Sequence, residues 1–120
     1  MQFGIGDLEV PNPTESALVR AGGLQTATWL LRTDLAKAID PQFTDPHAYL
    51  SNPDLFNPLT PAVVKAIGVA AQKQVADFFV SGGATIPNPN NYFTGRFSGL
   101  NLFQIPTTLP DGLNFLQIQP

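Results

Sequence analysis

The chain has 120 residues, which limits it to one domain of modest core. It carries 43% hydrophobic but only 12% charged residues, a net charge of −3, 12 Pro, 10 Gly and no Cys. Without a basic patch it is a poor partner for nucleic acid, and without Cys it has neither a disulfide framework nor a thiolate metal site.

No run of about 18 apolar residues is present, so no transmembrane helix is expected. The first residues, Met1-Gln2-Phe3-Gly4, lack the basic and apolar regions of a signal peptide. So few charges on a small body leave much neutral surface, which suits a chain covered by a partner or by further sequence.

In residues 2–6, Phe3 and Ile5 alternate with Gln2 and Gly4. Alternation of period two predicts a short strand, which ends at Asp7. Pro11 and Pro13 then force a turn. Asn12-Pro13-Thr14-Glu15 is a helix start: Asn12 as cap, Pro13 in the first helical position, Glu15 three residues after the cap. The helix runs through 16–21 and stops at Gly22-Gly23.

Residues 24–33, with Thr26, Thr28 and Trp29, predict a second strand. Residues 34–40 predict one helical turn, ended by Pro41. Residues 41–60 hold four prolines and predict a long loop. Loops of this length inside a domain are usually functional or disordered. The only histidine of the chain, His47, lies in this one.

The best-defined element is a helix over 61–80. Thr60 caps it, Pro61 starts it, and Val64, Ile67, Ala71, Val75 and Phe78 recur on one face. Lys73 and Asp77 are four apart and predict a weak pair, and Ser81-Gly82-Gly83 stops the helix. From Pro87 the chain is rich in Asn, Pro and Gly, then apolar with little charge. A disordered tail would be more polar, so an extended arm lying over another surface is expected. The expected organisation is therefore α/β, with residues 1–86 as the body and 87–120 as the arm.

Two residues carry the chemistry. Asp7 follows a strand and precedes a helix; a carboxylate in such a turn commonly serves only the backbone. His47 is too isolated for a metal site, which needs three or four ligands. Together they fit the late part of a Ser-His-Asp triad, in which the acid precedes the histidine along the chain. Glu9, two residues beyond Asp7, is a weaker substitute acid. Trp29, Tyr49 and Phe56 are candidate acyl-pocket residues, although aromatic residues are more often core. Asp40, Asp45 and Asp54 lack the compact spacing of a calcium loop.

Gly6-Asp7-Leu8-Glu9-Val10-Pro11-Asn12-Pro13 resembles the Gly-Asp-x-x-Val-Pro-Asn-Pro stretch of large bacterial α/β-hydrolases of the lipase and esterase type. Leu18-Val19-Arg20-Ala21-Gly22-Gly23-Leu24 resembles their following helix and turn. Asp45-Pro46-His47-Ala48-Tyr49-Leu50 resembles their histidine loop. Residues 70–83 resemble their closing helix, and Pro110-Asp111-Gly112-Leu113-Asn114-Phe115 is similar to a stretch of their tail.

The resemblance implies the C-terminal strands and closing helix of a hydrolase sheet. It implies Asp7 and His47 as catalytic acid and base, an ester substrate, no cofactor, no metal, and a secreted or cell-envelope location. The Gly-x-Ser-x-Gly nucleophile elbow is missing. Gly95-Arg96-Phe97-Ser98-Gly99 places Ser98 off that pattern and after His47. The serine must then lie on another chain or segment, and this chain alone is not expected to hydrolyse esters. A reading of another class stands beside it: a non-catalytic assembly subunit that docks through its helix and apolar arm.

Overall fold

The run Trp29-Leu30-Leu31 is apolar at every position, a pattern that suits a strand covered on both faces. In the computed structural model, which describes residues 1–7, 9–10, 12–43, 46–47 and 49–106, this run is the central strand and all three residues are buried. The described chain is mixed α/β and divides into two compact units. One comprises Met1–His47 and the segment from Leu102; the other is Ala48–Asn101.

The first unit holds a three-stranded sheet in the order β1 (Gln2–Gly4), β2 (Trp29–Leu31), β3 (Phe103–Gln104). β1 and β2 are parallel, with Phe3 opposite Leu30. β3 is antiparallel to β2, with Phe103 opposite Leu31. A parallel pair needs a crossover, and α1 (Asn12–Ala21) lies within that crossover. Val19 of α1 packs with Phe3, Ile5 and Leu30 in one cluster. Burying each such side chain stabilises the fold by about 1.5–3 kcal/mol before entropy is counted.

α1 ends as its glycines require. Gly23 takes φ 61°, and the Leu24 amide returns to the Val19 carbonyl at 2.9 Å. The stretch 24–33 is strand only at Trp29–Leu31. It opens with a 3₁₀ turn over Gln25–Ala27, and the Thr28 hydroxyl donates to the Leu24 carbonyl at 2.7 Å. That local bond gives the backbone an alternative to a ladder, which shortens the strand.

α2 (Thr33–Ile39) has two turns where one was expected. At its start the Arg32 guanidinium forks onto the Asp34 carboxylate and donates to Gln104 Oε1 at 3.0 Å, tying β3 to this end of the sheet. The Arg32 hydrogen bonds hold the Asp34 carboxyl below the usual carboxylate range.

The second unit is built on α3 (Ala62–Val80). Ile67 and Ala71 of the expected face are buried, while Val64, Val75 and Phe78 are only half-buried. Val63, Ala70 and Gln74 complete the buried face instead. Gly68 lies on it because Leu55 and the Tyr49 carbonyl occupy the space a side chain would need. Pro61, not Thr60, takes the cap position, without a side-chain cap bond. A 3₁₀ turn over Pro53–Phe56 interrupts the expected loop.

Within residues 87–106, expected as an extended arm, the chain forms 3₁₀ turns over Pro89–Tyr92 and Gly95–Phe97 and then β3. Asn88 caps the first turn by accepting from the Asn90 amide at 2.9 Å. Tyr92 donates to Asp77 at 2.6 Å, and Lys73 pairs with the same carboxylate at 3.3 Å. The last stretch of the expected arm, 107–120, lies outside the described residues. No helix of the described residues is long and apolar enough to cross a membrane.

Candidate active site

Asp7 stands where β1 has just ended. Gly6, at φ 84°, turns the chain in a conformation that other residues resist. The Asp7 carboxylate is 10% exposed. Its Oδ1 accepts the Glu9 and Val10 amides, both at 2.8 Å, so the turn is closed on the acid itself.

The same carboxylate meets His47. Nδ1 lies 3.0 Å from Oδ1 and 3.1 Å from Oδ2. An ionised carboxylate only accepts, so Nδ1 carries the proton of this contact. That leaves Nε2 as the basic nitrogen when the ring is neutral. His47 is 33% exposed. Asp7 and His47, singled out in the sequence, are therefore brought together.

Glu9 is placed differently from the expectation. Its Oε2 lies 3.3 Å from His47 Nε2, on the opposite side of the ring from Asp7. Glu9 is 68% exposed, and an ion pair this open to water is held weakly. It is not beside Nδ1 as a substitute acid would be; it lies against Nε2.

Two neighbours were legible only as helix-start signals. Asn12 is fully buried. It donates to the Gly4 carbonyl at 2.7 Å and to Glu15 Oε2 at 2.6 Å, and accepts the Gly6 amide at 3.1 Å. Burial, and then the Asp7 charge, push the Glu15 carboxyl up to about 7, against opposing pulls from the Asn12 hydrogen bond and from His47. Asn-Pro-x-Glu marks a helix N-terminus, and nothing in the pattern says that the Asn12 side chain turns back to the end of the strand and takes the Glu15 carboxyl as a partner.

The remaining candidates separate. Trp29 and Tyr49 are buried in different units, and Phe56 is exposed. Asp40 serves a turn, accepting the Gln42 amide at 3.0 Å. Asp45 lies outside the described residues, as does any contact it makes with His47. Among the described residues no group of three or more His, Cys, Asp or Glu is disposed to hold a metal ion. Ser98 lies in the second unit, just beyond the turn Gly95–Phe97, and donates its amide to the Gly95 carbonyl at 3.1 Å.

The arrangement is an acid–imidazole pair with one ring nitrogen oriented and the other facing a displaceable carboxylate. It can hold a proton taken from a hydroxyl. No protein-family model, curated protein or solved structure matches this chain.

Proposed function

We propose that the chain is the C-terminal part of a serine carboxylic-ester hydrolase of the α/β type, supplying the acid and the base of a Ser-His-Asp triad. The Asp7–His47 contact is the observation that carries this reading. Topology supports it: Asp7 follows the carboxyl end of β1, and His47 comes after the parallel neighbour β2. In open α/β sheets, sites form outside the carboxyl ends of the strands.

In this reading a serine on another chain or segment attacks the ester carbonyl. His47 Nε2 takes the hydroxyl proton as the oxygen–carbon bond forms. The tetrahedral intermediate then expels the alcohol, which receives that proton from Nε2. Water, deprotonated by the same nitrogen, then bonds to the acyl carbon; the serine oxygen–carbon bond breaks, the serine oxygen takes the proton back from Nε2, and the carboxylic acid leaves. Asp7 keeps the ring in the right tautomer and stabilises it when charged. Glu9 must swing away from Nε2 before the serine arrives.

The test is a fluorophosphonate probe applied to the native assembly, purified through a tag on this chain. A labelled serine on a neighbouring polypeptide or a preceding segment is expected, with labelling lost in His47→Gln. An assembly that takes no label, or takes it equally well without His47, would sink the reading.

A second reading, a non-catalytic docking subunit, is favoured by the exposed Phe56, Leu59, Phe79 and Val80. It predicts that replacing these by polar residues disrupts the assembly while Asp7 and His47 changes leave it without consequence.

A further inference from the structure

We infer that Asn12 is a positioning residue of the Asp7–His47 pair, holding the end of β1 so that the Asp7 carboxylate is presented to the imidazole at fixed height and angle. The inference deepens the hydrolase reading and takes its catalytic meaning from it. A helix cap at this position would direct its oxygen to the amides of the first turn. Among the described residues, Asn12 Oδ1 instead accepts the Gly6 amide, one residue before Asp7. Its Nδ2 reaches the Gly4 carbonyl and the Glu15 carboxylate.

The backbone before Asp7 is thereby held at three points. Asn12 holds the Gly4 carbonyl and the Gly6 amide, and the Leu31 carbonyl holds the Ile5 amide at 3.0 Å. Asp7 in turn accepts the amides of Glu9 and Val10. Glycines at 4 and 6 would otherwise leave this stretch free to bend. A side-chain amide donates and accepts from one rigid plane. Aspartate lacks the donor, and an apolar residue would take this partner from the buried Gly4 carbonyl and the half-buried Gly6 amide. The effect of Asp7 and His47 on the Glu15 carboxyl shows that the network lies within the field of the pair.

His47 is the only histidine, so imidazole signals in a nitrogen-15 NMR spectrum of the chain belong to it. The expected wild-type spectrum has a downfield, slowly exchanging Nδ1–H resonance. Asn12→Ala is expected to broaden or abolish it at temperatures where circular dichroism shows the chain folded. Val19→Ala, which opens a cavity in the adjoining core, is expected to keep it. Should Asn12→Ala not fold, Asn12→Asp carries the test: it retains the acceptor for Gly6, loses both donated bonds, and is expected to shift the resonance toward that of a free imidazole.

A resonance unchanged in the folded Asn12 variant, or lost equally in Val19→Ala, overturns the inference and leaves the Asp7–His47 reading standing. A wild-type spectrum without the resonance overturns the pair itself, and with it both.

Discussion

His47 Nδ1 lies almost equally far from the two oxygens of the Asp7 carboxylate, 3.0 and 3.1 Å, across forty residues of sequence. One of those oxygens also accepts two backbone amides, so the acid is held from behind while it faces the ring. Asp7→Asn retains one acceptor but presents an amide in place of the other oxygen, and it withdraws the negative charge. Under the proposed hydrolase function, the expected loss in kcat of the complete assembly is about 10⁴-fold with folding preserved. Steady-state hydrolysis of a p-nitrophenyl ester measures it; a loss below tenfold would remove Asp7 from the triad.

Glu15 reports on the same charge. The Asp7 carboxylate helps push it up, so Asp7→Asn is expected to bring it down from about 7. A carbon-13 titration of the Glu15 carboxyl checks the direction.

The raised Glu15 carboxyl also shapes stability against pH. It binds its proton more tightly folded than unfolded, so stability falls as pH rises from its ordinary 4.5 toward about 7 and returns on acidification. Allowing for its partial exposure, the swing is roughly 1–2 kcal/mol. Glu15→Gln keeps an acceptor for Asn12 and is expected to flatten this part of the profile. Urea denaturation at a series of pH values decides.

Glu9 covers His47 Nε2 from an exposed position. Glu9→Gln is therefore expected to leave stability within about 0.5 kcal/mol and to speed modification of the histidine by diethylpyrocarbonate. Added salt, which screens exposed charges, should raise the wild-type rate toward that of the variant. Equal rates at low salt would show that the contact does not persist in solution.

Gly68 inverts the usual helix rule. Gly→Ala inside a helix normally gains up to about 1 kcal/mol. A Cβ on Gly68 would stand 2.5 Å from a methyl of the buried Leu55 and 3.1 Å from the Tyr49 carbonyl. Gly68→Ala is expected to cost about 1–3 kcal/mol instead, read from the shift of the denaturation midpoint.

Tyr92 is pushed up to about 12, chiefly by its hydrogen bond to Asp77. Asp77→Asn removes the charge that favours the neutral phenol, so Tyr92 should ionise nearer its ordinary 10. Alkaline titration of tyrosinate absorbance in the variant checks this, with Tyr49→Phe separating the two tyrosines.

The long helix was legible because its signal is local: an apolar stripe bounded by Pro61 and Gly82-Gly83 matches the observed Ala62–Val80. Its face was misjudged by a fraction of a turn, because Gly68 and Gln74 are buried through close packing and bonding rather than apolarity. The placement of Asp7 beside His47 followed from their order among strands and helices. Asn12-Pro13-Thr14-Glu15 does open α1, but Asn12 lies within the helix and its oxygen accepts the Gly6 amide instead of capping the first turn; its partners Gly4, Gly6 and Glu15 are not revealed by residue spacing. β3 was invisible because two residues carry no periodicity, and their partner in β2 is some seventy positions away.

That distant pairing sets an order of assembly. The contact of Arg32 with Gln104 closes a loop of 72 residues, whereas β1 joins β2 across fewer than thirty. Closing the longer loop costs roughly 0.6 kcal/mol more for each doubling of length, and two ladder residues return little of it. The parallel pair and α1 therefore have the kinetic advantage, with β3 arriving after the intervening unit has been synthesised. Hydrogen exchange should find its amides the earliest of the sheet to open. Asp7 and His47 both precede this late strand, so their contact does not wait on the closure of the longer loop.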